Sequence, residues 1–205
     1  MLPRRSVFLV PVVLLIGLCS PAQAQPDDVQ RLSQQRQTAE TRHLWRVGAW
    51  GAANALGGLA LVAATARSER TARWNFGAMS AGWGVVNVGI ATAGLLSGNA
   101  AADPTLQAAL GAERTFHDLL LVNLGLNVGY AAVGGALLAA GRRSVDHAAR
   151  WRGFGTSLIL QGAGLLVLDG IAFLASRARL GTLVDTAVQV SAHAGPTGAA
   201  LTLHF

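Results

Sequence analysis

The stretch His117–Ala140, HDLLLVNLGLNVGYAAVGGALLAA, is apolar over enough length to cross a bilayer, yet it carries Asn123 and Asn127 one helical turn apart. A crossing takes about 20 residues. In water two asparagines would be unremarkable. In hydrocarbon each must find a hydrogen-bond partner or cost several kcal/mol. The same conflict recurs along the chain. Leu44–Ala66 carries Trp50-x-x-x-Asn54, Trp74–Ser97 carries Trp83-x-x-x-Asn87, and Gly153–Ser176 carries Gln161 and Asp169. These runs predict an all-α fold, a four-helix transmembrane bundle with spans at 44–66, 74–97, 117–140 and 153–176.

Composition agrees. The 205 residues are 52% hydrophobic and 13% charged, against about 25% charged in a soluble domain. All 16 basic residues are arginine. The lack of lysine excludes Schiff-base and P-loop lysine chemistry. The net charge of +6 resides in clusters beside apolar runs, where topology accounts for it and nucleic acid need not be invoked. Cys19 is the only cysteine, so an internal disulfide and a cysteine-ligated metal are both excluded. His43, His117, His193 and His204 fall at one end of the bundle, but none has H-x-x-x-H or H-E-x-x-H spacing. No nucleophile elbow, phosphate loop or nucleotide fingerprint is present. The expectation is no cofactor, no metal and no enzyme activity.

Residues 1–24 read as a signal peptide: Arg4 and Arg5, an apolar core from Phe8 to Leu18, and Ala22-Gln23-Ala24 as the cleavage site. Leu18 stands where a lipoprotein signal needs a small residue before its cysteine. Residues 25–43 then form a periplasmic helical extension, opened by Pro26-Asp27-Asp28 with acids at the positive end of the helix dipole. A disordered terminus is the alternative.

The loops set the orientation. Arg67, Arg70 and Arg73 separate the first two spans, and Arg142, Arg143, Arg150 and Arg152 separate the last two. Between spans two and three only Arg114 stands, against Asp103 and Glu113. The positive-inside rule then predicts an inner-membrane, multi-pass protein with both termini periplasmic. In the tail, 177–205, Val184–Ala192 and Ala199–Phe205 alternate about the turn Gly195-Pro196-Thr197-Gly198, predicting a short C-terminal β-hairpin. Shifting the chain by 77 places Gly57-Gly58 on Gly134-Gly135 and Arg73-Trp74 on Arg150-Trp151. Each unit would be a helical hairpin, repeated about an axis along the membrane normal. Chance is the rival in a chain with 25 glycines.

Counted at 1.5 Å per residue, Asn54, Asn87 and Asn127 each lie roughly 15 Å below the outer surface. The reading is one polar layer of Asn54, Asn87, Asn123, Asn127, Tyr130, Gln161 and Asp169, with Trp50 and Trp83, centred on Asp169. It has two interpretations. The amides zip the helices together at about 0.6–2 kcal/mol each, or Asp169 is an intramembrane proton or cation relay.

The order Trp50-x3-Asn54, Trp83-x3-Asn87, Asn123-x-Gly125-Leu126-Asn127-x2-Tyr130, Gln161-Gly162, Asp169 resembles an uncharacterised family of small bacterial membrane proteins, known only as a domain of unknown function. The resemblance covers about residues 44–176. It implies a four-helix membrane bundle and no activity. It also implies that the Asn127 position is often an acid, so this chain lacks one carboxylate of a paired mechanism. The functional expectation is a non-enzymatic structural or interaction protein. Its partners would be the lipid bilayer and, through the tail, a second copy or a periplasmic protein. The alternative is a small transporter or channel component with Asp169 titrating.

Overall fold

The computed structural model describes residues 26–65, 71–98, 105–143 and 146–193. They form four helices: α1 (Pro26–Ala63), α2 (Ala72–Ser97), α3 (Leu106–Arg143) and α4 (Ala148–His193). α1 packs along α2 and α3 along α4, and the two hairpins meet mainly where α2 runs beside α4. The expected signal peptide at 1–24 lies outside the described residues.

Local chemistry fixes the helix starts. Asp27 and Asp28 occupy the first turn of α1, and no glycine or proline interrupts the chain before Gly48. The extension expected at 25–43 is therefore helical from Pro26 and continuous with the apolar half of α1. At α2, the extended Thr71 caps the helix by accepting from the Trp74 backbone N–H at 3.3 Å.

The polarity of the bundle is inverted. Its buried positions include Ser80, Asn87, Asn127, Ser157, Gln161 and Asp169, whereas Leu56, Val86, Ile90, Leu121, Val122, Val133 and Val167 are exposed. A water-soluble bundle buries its leucines and valines. A bundle in lipid has no reason to, and packs through small residues instead. α2, α3 and α4 are long and apolar enough to cross a membrane. α1, expected to supply a fourth span, is not among them. Its first half is polar, and its second half dilutes leucine and valine with Arg46, Asn54 and four glycines.

Three helices run far past the apolar zone at one end. α4 has 46 residues, about 69 Å at 1.5 Å per residue, against a hydrocarbon thickness of about 30 Å. The overrun of α4, the first half of α1 and the start of α3 form a helical cap, with Val29, Leu32, Ala109 and Leu183 as its core and Leu106 and Leu110 against it. Burying a leucine such as Leu183 contributes about 2 kcal/mol.

The cap corrects two expectations. Val184–Ala192, expected as the first strand of a hairpin, is helix. A period-two run contains i,i+4 pairs: Val184 and Val188 share an exposed face, while Leu183 turns into the cap core. No glycine or proline stops the helix before Gly195. No strand occurs among the described residues, and the turn and Ala199–Phe205 lie outside them. The second correction concerns the loop between spans two and three. Much of it is the first turns of α3, so Glu113 and Arg114 are helical.

The two hairpins are built alike. A Cβ on Gly58 would meet the Gly77 carbonyl and the Ala81 backbone N–H, and a Cβ on Gly134 would meet the Gly155 carbonyl and the Ile159 N–H. Likewise Gly84 lies against Gly51 and Ala55, and Gly162 against Asn127 and Ala131. The correspondence is one residue less than 77 in α1 and α3 and one more in α2 and α4. Between the hairpins the hydroxyls of Ser80 and Ser157, 77 residues apart in sequence, meet at 2.8 Å.

Candidate functional site

Among the described residues, two polar networks lie at the centre of the bundle, apart from the Ser80–Ser157 pair and the Glu113–Ser176–Arg179 cluster of the cap. In the first, the Trp50 indole N–H donates to Gln161 Oε1 (3.1 Å) and the Gln161 amide donates to Asn54 Oδ1 (2.6 Å). The Asn54 amide donates back to the Trp50 carbonyl (2.8 Å). The loop ties α1 to α4 and uses donor and acceptor of both amides. It is made possible by Gly164: a Cβ there would run into the Trp50 ring.

Under the hairpin correspondence, Asn54 matches Tyr130 and Gln161 matches Trp83. These two aromatics are themselves in contact, with ring centroids 4.8 Å apart and planes at 54°. The same pair of positions thus carries amides between α1 and α4 and aromatic rings between α3 and α2.

The second network is centred on Asp169. Its Oδ2 accepts from the Asn127 amide at 2.6 Å, and its Oδ1 lies 3.0 Å from His43 Nε2. α4, α3 and α1 each contribute one group, and all three residues are buried. The His43 ring stands edge-on to Phe116, with centroids 6.4 Å apart. Its Nδ1 is buried and has no hydrogen-bond partner among the described residues. Beside it a cleft of about 630 Å³ opens between α1 and α4, with Arg42, His43, Arg46 and Ile171 among its walls.

Of the layer expected around Asp169, only Asn127 touches it. Asn54, Gln161 and Trp50 belong to the first network, and Trp83 and Tyr130 pair with each other. Asn87 is buried where α2 crosses α1 at Gly51, its amide nitrogen unpartnered among the described residues. Asn123 is exposed on α3 and makes no hydrogen bond among the described residues. Two positions differing by four residues are turned about 40° apart. That rotation separates an inward Asn127 from an outward Asn123. Thr92 is exposed, and Ser157 is bonded to Ser80.

His43, Ser80, Glu113, Ser176 and Arg179 were not anticipated as parts of buried networks. A signal for His43 was present: His43, Val47, Trp50 and Asn54 stand at i, i+4, i+7 and i+11, one stripe of α1. The stripe of α4 through Gln161, Leu165, Asp169, Ala172 and Ser176 faces it.

No curated protein and no solved structure matches the chain. Residues 46–170 match a family of unknown function, DUF6992. The match includes Asp169, Asn127 and the whole of the first network, and it ends short of His43 and of the cap arms of α1 and α4. It spans more than half of the chain, which therefore belongs to the family of unknown function DUF6992.

Proposed function

We propose that the protein is a multi-pass inner-membrane protein with four crossings and both termini periplasmic, and that its role is structural or interactive rather than enzymatic. Support for the fourth crossing is the packing of the second half of α1 along α2, glycine to glycine, as α3 packs along α4. The observation that carries the functional reading is the closure of the Trp50–Gln161–Asn54 loop. Its amides consume one another, as groups selected to hold helices together do. The partner surface would be the helical cap, offered to a second copy or to a periplasmic protein.

A second reading, a proton or cation relay through Asp169, is favoured by one observation. The cleft reaches His43, and His43 is bonded to Asp169. One experiment separates the two. Wild type and Asp169→Asn are reconstituted in proteoliposomes and loaded with a pH- or cation-sensitive dye. The structural reading expects flux equal to that of empty liposomes for both proteins. Flux present in wild type and lost in the variant would replace it with the relay.

A further inference from the structure

We propose that the cleft between α1 and α4 binds a phosphate-bearing anion, held by Arg42 and Arg46, and that the anion is a phospholipid headgroup. The argument begins with charge. No acid is among the residues lining the cleft, and the acids Asp28, Glu40, Glu113 and Asp169 of the helices around it are engaged elsewhere. Asp28 pairs with Arg31 at 3.0 Å and Glu40 with Arg36 at 2.6 Å. Glu113 takes Arg179 on both oxygens, and Asp169 takes Asn127 and His43. Arg42 and Arg46 line the same cleft, are exposed, and have no partner among the described residues. They stand at i,i+4, where like charges repel. Two guanidiniums side by side in a recess match the oxygens of a phosphate, which arginine binds bidentately.

Further observations support the site. His43, buried and without a partner at Nδ1 among the described residues, lines the same cleft and adds a polar group to the arginines. Trp45 lies between the two arginines in sequence and is 65% exposed at the start of the apolar half of α1. An exposed tryptophan there marks the level of lipid headgroups. The wall of the cleft at Ile171 is 52% exposed and apolar, a surface for an acyl chain rather than for a soluble ion.

The test uses the full chain, purified in a neutral detergent, as wild type, as Arg42→Gln/Arg46→Gln, and as Arg142→Gln/Arg143→Gln. The last pair is exposed at the far end of the bundle and serves as a charge-matched control. Binding is read by native mass spectrometry and by the melting temperature on titration with phosphatidylglycerol, with phosphatidylcholine, and with inorganic phosphate at constant ionic strength. The expected result is retention of phosphatidylglycerol over phosphatidylcholine by wild type and by the control. Affinity should fall about tenfold or more in the Arg42/Arg46 variant. If inorganic phosphate alone stabilises wild type and not that variant, the anion site stands and its source is soluble. Equal phosphatidylglycerol binding by all three proteins, or equal loss in both variants, overturns the proposal. Arg42 and Arg46 have no partner to lose, so the variant should melt as wild type does without lipid.

Discussion

The guanidinium of Arg179 meets the carboxylate of Glu113 at two points, Nε to Oε2 at 2.9 Å and a terminal nitrogen to Oε1 at 3.0 Å. Ser176 donates a third bond to Oε1 at 2.5 Å. Glu113 is 1% exposed, so removing its partner leaves a carboxylate with almost no access to water. Arg179→Met should therefore destabilise the cap by about 3–5 kcal/mol. The double variant Glu113→Leu/Arg179→Met should recover most of that loss, because the cost lies in the uncompensated charge. Unfolding of the three proteins in one mixed-micelle system measures this. A double variant no more stable than Arg179→Met would show that the cap depends on the pair itself. Stopping the chain after Ala175 should be at least as damaging, since it removes Ser176, Arg179 and Leu183 together.

The loop of Trp50, Asn54 and Gln161 predicts coupling. Gln161→Ala strands the Trp50 indole N–H and Asn54 Oδ1, and Asn54→Ala strands one end of Gln161. Each should cost about 1–2 kcal/mol, near the upper range for hydrogen bonds between membrane helices. A double-mutant cycle should return a coupling of about 0.5 kcal/mol or more. Additive losses would mean that the 2.6 Å bond between the two amides does not contribute to stability.

The long apolar helices, the four-helix order and the helical start at Pro26 were legible in sequence, because they rest on apolar run length and on capping residues. Depth was legible too: Asn127 and Asp169 were set at similar heights by counting residues, and they are bonded. Rotation was not. Asn54 and Asn127 have similar depth, but their helices present them to different neighbours, so one expected layer is two networks. Span counting also ended each helix at the membrane surface. It left Glu113 in a loop and Arg179 in a tail, when both sit on helices that continue beyond it. The β-hairpin expectation failed at its first strand for a related reason: alternation at Val184–Ala192 is also compatible with one face of a helix.

Close approach predicts a contrast among the glycines. A Cβ on Gly162 would lie 2.5 Å from the Asn127 carbonyl oxygen and 2.9 Å from the Ala131 nitrogen, both backbone atoms that cannot yield. Gly125 and Gly129 would meet nothing within 4 Å. Gly162→Ala should push α3 from α4, cost about 1–3 kcal/mol and weaken the neighbouring bond from Asn127 to Asp169. Gly125→Ala and Gly129→Ala should leave stability of the isolated chain unchanged or raised, through better helix propensity. Melting temperatures of the three variants measure this. A loss confined to Gly125→Ala or Gly129→Ala would mean that their open face is packed in the membrane.

The Asp169 network predicts an order among substitutions. An asparagine at 169 keeps one acceptor for the Asn127 amide and turns an N–H₂ toward His43. Because His43 Nδ1 has no other partner among the described residues, the ring can carry its proton there and accept through Nε2. Asp169→Asn should therefore cost no more than about 1 kcal/mol. Asp169→Ala removes both acceptors and leaves the Asn127 amide and the His43 ring buried without partners, a loss of about 2–4 kcal/mol. Nitrogen chemical shifts of His43 should report proton transfer from Nε2 to Nδ1 in the asparagine variant. Equal melting temperatures for the asparagine and alanine variants would mean that the network does not hold α1 against α4. The structural reading of the bundle would then rest on the Trp50–Gln161–Asn54 loop alone.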